Sequence, residues 1–164
     1  MLEKNAENLN NIWLQNSIPV IFRKGKGSPL LLRLPYMLDN MVWLKNERRN
    51  KPKWIAEKKR WEIPTSWFND TVNRGLERWG KLYIIQPHAA HEICARACWE
   101  AEGHECQCSC LGAHHGSNRP SGSWFEVSEA FAVKYESKEL ACRLLIKKES
   151  QTKTRERGLN PALI

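Results

Sequence analysis

Residues 65–87 read TSWFNDTVNRGLERWGKLYIIQP, a helical run and a strand joined at a glycine. Phe68, Val72, Leu76 and Trp79 recur at helical spacing, so an α-helix gathers them into one apolar stripe, with Asn73, Arg74, Glu77 and Arg78 on the other side. Thr65 or Ser66 can cap the start, because a side-chain oxygen there accepts from a backbone N–H that has no partner inside the helix. Gly75 weakens the helix somewhat, and Gly80 ends it, since glycine takes the left-handed turn that closes a helix at little cost. KLYIIQ is then a strong strand, terminated by Pro87. A helix followed at once by a strand points to an α+β fold: a small mixed sheet with two or three helices and a Cys/His metal-binding loop.

Upstream, residues 18–23 and 30–34 are β-rich and are joined by KGKGSP, whose glycines and proline supply a hairpin turn. Met37, Leu38, Met41, Val42 and Leu44 then recur at helical spacing, and KWIAEKKRWEIP (residues 53–64) reads as two arms ending in Trp54 and Trp61 around a charged turn. From Leu30 the order is strand, helix, hairpin, helix, strand, and residues 17–87 make one basic β-α-β-β-α-β unit. Residues 1–16 are polar and rich in asparagine, with Ile12, Trp13 and Leu14 as the docking point of a flexible arm or short helix.

Downstream, the six cysteines and five histidines are crowded: all but Cys142 fall within residues 88–115. The run is His88-x2-His91-x2-Cys94-x3-Cys98-x5-His104-x-Cys106-x-Cys108-x-Cys110-x3-His114-His115. Thiolates and imidazoles gathered in this way suit a tetrahedral zinc ion. Cys94 and Cys98 lie one helical turn apart on a shared face with His91, and Gly103 ends that helix. Cys106, Cys108 and Cys110 alternate, but an extended strand spaces alternate sulfurs too widely for all three to reach one ion, so the backbone there must turn. The favoured ligands are Cys94, Cys98, Cys106 and Cys108, with Cys110, His114 or His115 as replacements. Such a shell is closed and therefore structural. An iron-sulfur cluster is the alternative cofactor, although the spacing matches neither common ferredoxin series. His88 and His104 are expected to be exposed or to lie behind the ligands, and Cys142, alone in an apolar run, is expected in the core.

Residues 117–147 close the fold with a hairpin: runs 124–135 and 140–147 flank ESKE, and the alternation breaks between Val127 and Phe131, where a bulge would fit. Residues 148–164 form a basic tail. No apolar run approaches the length needed to span a bilayer, and the amino terminus lacks the order of a signal peptide, so a cytoplasmic protein is expected.

The net charge of +8 is concentrated in Lys45, Arg48, Arg49, Lys51, Lys53, Lys58, Lys59 and Arg60, opposed across that stretch by Glu47 and Glu57 alone. Interleaved with Trp54 and Trp61, these cations suit a polyanion, because cations neutralise phosphates and indoles stack on exposed bases. The plainer alternative is a solvated basic hairpin with core tryptophans. PLLLRLPY, the helix carrying WLK, KWIAEKKRWEIP and the helix opening TSWFND resemble the HARP-type module of annealing helicases over residues 30–79. That resemblance implies DNA contact through Lys53, Lys58, Lys59 and Arg60. No motor accompanies it, for nothing matches G-x-x-x-x-G-K-[ST]. The whole chain, at CxCSCxGxxHG (residues 106–116) above all, also resembles a prokaryotic family, a likeness that supplies no activity.

The sequence thus predicts a non-enzymatic, zinc-stabilised nucleic-acid-binding protein, with DNA preferred over RNA. Two other readings stand beside it. One is a metal-dependent HNH-like nuclease using His114, His115 and Asn118, and the other is a protein-protein adaptor presenting Trp99 on a zinc knob.

Overall fold

The structure is a computed structural model and describes residues 2–25, 27–88, 104, 124–135 and 138–148. Its elements run α1 (Leu2–Leu14), β1 (Val20–Arg23), β2 (Leu30–Arg33), α2 (Asn40–Lys45), β3 (Lys53–Ile55), β4 (Arg60–Ile63), a 3-10 turn (Thr65–Trp67), α3 (Phe68–Trp79), β5 (Lys81–Pro87), β6 (Phe125–Tyr135) and β7 (Lys138–Lys147). One seven-stranded sheet takes the order β3-β4-β2-β1-β5-β7-β6. Every neighbouring pair is antiparallel except β1 with β5. The α+β class holds. The sheet is larger than expected, because β7 pairs with β5 and carries the closing hairpin into the same sheet.

The central strands are buried on both faces, which is why they read as continuous apolar runs rather than alternating ones. Ile21 and Ile84 face α3, packing with Phe68, Val72 and Leu76, while Val20 and Ile85 face α1. At Gly75 an added Cβ would stand 2.6 Å from Leu82 Cδ1, so the glycine lets α3 lie close on β5. Gly80 closes α3 with φ 80° and its N–H 2.8 Å from the Leu76 carbonyl.

Of the flexible arm or short helix expected over residues 1–16, the helix forms: α1 docks on the sheet. Leu9 and Ile12, three apart, bury against Val20, Ile85, Val133 and Leu140. Trp13 meets Phe22 edge-on at 6.2 Å, and Asn5 Nδ2 donates to the Ala132 carbonyl at 3.0 Å. Leu14, expected to dock, is 64% exposed. The asparagines that make this stretch look unstructured lie mostly on its outer side, while Leu9 and Ile12, with Ala6 and Trp13 packed beside them, hold it to the sheet. In the closing hairpin the register shifts between Val127 and Glu129, inside the stretch where the alternation breaks. Cys142 is fully buried.

Candidate nucleic-acid interface

The register of β3 and β4 sorts the basic stretch. Lys53 pairs with Glu62, Trp54 with Trp61 and Ile55 with Arg60. Because alternate residues of a strand point to opposite faces, the two indoles share one side of the sheet, where Trp61 packs on the α3-side core. Lys53 and Arg60 take the other side. Two grooves follow, one on each side of this hairpin.

The first, about 440 Å³, lies beside α1 and has an apolar floor including Phe22, Leu31 and Ile85. Its rim carries Lys24, Lys58, Arg60 and Lys138, with Asn10 and Trp13 on the helix side. No carboxylate lines it among the described residues. Arg60 donates to Glu62 Oε2 from Nε (3.3 Å) and Nη2 (3.0 Å), which offsets its charge. Lys24, Lys58 and Lys138 are exposed and have no ion-pair partner among the described residues.

The second groove, about 740 Å³, lies between α2 and the hairpin. Trp54 and Trp61 stack on one wall with centroids 5.1 Å apart and planes tilted by 55°. Tyr36, Met37, Leu38 and Met41 also line it, and Arg33 and Lys59 supply its cations. Arg33 ties the two grooves together: its guanidinium donates to the Lys59 carbonyl (3.3 Å), to Asn16 Oδ1 (3.3 Å) and to the Trp13 carbonyl at the end of α1. All three acceptors are neutral, so its charge stays uncompensated by these bonds.

Of the residues expected at the interface, Arg48 is engaged within the fold: it pairs with Asp70 at 2.8 Å and stacks over Trp67 at 4.5 Å. Lys45 is half-buried at the end of α2, whereas Arg49, Lys51 and Lys53 are exposed along the approach to the hairpin. The α2–α3 contact is built the same way, with Arg74 over Trp43 at 4.7 Å and Arg78 over the same ring at 5.3 Å. Burial lowers the Arg74 pKa from its ordinary value; Asp70 opposes that shift, and the neighbouring Arg48 and Arg78 reinforce it. Sequence reasoning missed Lys24, Lys138, Arg33 and Tyr36. The first two sit in turn segments, KGKGSP and ESKE, whose lysines looked like ordinary solvated charge, and only the sheet order brings them beside Lys58.

A buried polar socket lies between α3 and the sheet. His104 is 1% exposed, so of the two placements expected for it, exposed or behind the ligands, the exposed one does not hold. Its backbone N–H donates to Asn69 Oδ1 (2.7 Å), and its carbonyl accepts from Gln86 Nε2 (3.3 Å) and from Arg143. Its ring Nε2 lies 2.7 Å from Asn73 Oδ1, within hydrogen-bond distance. The ring also packs on Phe125 at 4.9 Å. Asn69 and Asn73 are one turn apart on α3, so a single helix face grips both ends of this residue. His88 is half-buried at the end of β5.

The expected ligands Cys94, Cys98, Cys106, Cys108, Cys110, His114 and His115 lie outside the described residues. Among the described residues no group of three or more His, Cys, Asp or Glu side chains comes together to hold a metal, and no helix is long and apolar enough to cross a membrane. Comparison with family models, with curated proteins and with solved structures returns no match.

Proposed function

We propose that this protein binds nucleic acid through the groove between α1 and the β3–β4 hairpin, without turnover, and that residues 88–116 fold around a structural zinc. The observation that carries the reading is the convergence of Lys24, Lys58 and Lys138, from two turns and the start of β7, on one groove that no carboxylate lines among the described residues. Like charges gather at a cost unless something anionic is to be bound, and a phosphate backbone offsets them by releasing its counterions. The preference for DNA rests on the HARP-type resemblance. Zinc rests on the donor set: four thiolates, or three with an imidazole, saturate a tetrahedral ion and leave no open position for catalysis. In this scheme Cys94, Cys98, Cys106 and Cys108 hold the metal, with Cys110, His114 and His115 as the other donors.

The test is equilibrium binding of duplex DNA across a salt series, joined to elemental analysis of the same preparation. Lys24→Glu combined with Lys58→Glu should weaken binding by about tenfold or more and lower the salt slope by about two, roughly one unit for each phosphate that is no longer neutralised. Melting should be unchanged, since both side chains are exposed. Stoichiometric zinc in a colourless sample is expected. Unchanged affinity in the double variant would show that this groove is not the interface. Cleavage of the DNA with added magnesium or manganese would favour the nuclease reading instead.

A further inference from the structure

We infer that the second groove, between α2 and the β3–β4 hairpin, receives unstacked bases, so that the protein engages single-stranded nucleic acid with its aromatic wall. This inference rests on the nucleic-acid reading of the neighbouring cationic groove and extends it to a partner class. Trp54 is 49% exposed and Tyr36 84%, and both line a space of about 740 Å³. Leu38, just before α2, and Val42, within it, are 93% and 72% exposed. An apolar surface of this kind beside an edge strand marks a binding site more often than an idle face.

Charge selects the occupant. Arg33 and Lys59 stand at the groove. No carboxylate lines it among the described residues; the nearby Asp39 is paired with Arg78 at 2.5 Å. A purely apolar protein segment would have no use for these cations, whereas a nucleic-acid strand needs both cations and ring faces. The turn geometry links the two halves. Lys59 has a left-handed backbone with φ 52°, and side chains on either side of it diverge: Lys58 and Arg60 line the cationic groove, and Lys59 lines the aromatic one. A single strand whose phosphates cross the turn at Lys58 and Lys59 can therefore turn its bases toward Trp54 and Tyr36. Every base has a π face, so the site would be tolerant of sequence. A duplex keeps its bases stacked and gains nothing from this wall.

The experiment compares a thymine-only single strand with a duplex of equal length, using the full chain, fluorescence anisotropy and the variants Trp54→Ala, Tyr36→Ala and Trp54→Phe. Each alanine variant should lose about tenfold in single-strand affinity while keeping its duplex affinity, because removing one stacked ring costs about that much. Trp54→Phe should retain most of the binding, since a smaller ring still stacks. Equal losses on both probes, or no loss on the single strand, would overturn the base-binding assignment and leave the cationic groove intact. If the unaltered protein binds neither probe, both readings fall. A change of oligomeric state by light scattering in Trp54→Ala, with single-strand affinity preserved, would assign the groove to a second copy of this chain and overturn the inference.

Discussion

Cys142 and His104 belong to the residue types that bind metals, yet each sits inside a core, and burial sets what each can do. Burial pushes the Cys142 thiol up to about 12, with Glu129 adding to the shift, and it raises the Tyr83 hydroxyl as well, where Glu129 and Cys142 contribute. In the unfolded chain the thiol ionises near its ordinary value of 9.0, so the folded form alone keeps the proton between there and about 12. A raised folded-state pKa stabilises the protein fully below the unfolded value and loses that contribution as pH rises toward the folded value. Stability should therefore decline between about pH 9 and pH 12, read as the denaturant midpoint at a series of pH values. Cys142→Ala should flatten that decline; the same slope in the variant would mean that the thiol does not govern it. The apolar neighbours of Cys142 announce its burial in the sequence. Nothing announces that of His104, because its partners Asn69, Asn73, Gln86 and Arg143 are polar residues on other elements.

At the scale of elements, α3 and β5 were legible from periodicity and from Gly80 and Pro87, but α3 opens at Phe68 behind the 3-10 turn with no side-chain cap from Thr65 or Ser66, and the reason for Gly75 was not legible. Read alone, a mid-helix glycine is a defect that alanine would repair by about 1 kcal/mol. Packed on β5, the same position leaves no room, since the new methyl would meet Leu82, itself 1% exposed. Overpacking of this kind costs about 1–3 kcal/mol. Gly75→Ala should accordingly destabilise the protein by about 1 kcal/mol in chemical denaturation, and adding Leu82→Val should recover part of the loss. A stabilised Gly75→Ala would show that α3 stands further from the sheet. The β3–β4 hairpin teaches the complementary lesson. Its ends and turn follow from KWIAEKKRWEIP, yet the interleaving of tryptophan and cation along the chain becomes a separation in space, because a period of two sends neighbours to opposite faces.

Across the whole molecule, the sheet order decides what the grooves contain. Pairing β1 with β5 in parallel brings the turn after β1 near the hairpin closed by β6 and β7, and α1 covers part of the face between them. Helix α1 is thus a wall of the cationic groove as well as a lid on the second core cluster. Leu9→Asp should destabilise the protein by about 3 kcal/mol, the order expected for forcing a carboxylate into an apolar contact. Leu14→Asp, on the exposed end of the same helix, should change stability by less than about 0.5 kcal/mol. Thermal or denaturant unfolding checks both, and equal small effects would return residues 1–16 to a flexible arm. By itself the sequence determined the α+β class, the succession of hairpins and helices, the concentration of cationic charge and the crowding of metal-binding side chains, because each is written in local spacing and composition. Only the tertiary structure decided that Lys24 and Lys138 join Lys58, that Arg48 serves Asp70 and Trp67, and that His104 is buried. Those outcomes depend on which strands pair and which faces close, and pairings between residues far apart in the chain leave no periodic trace along it.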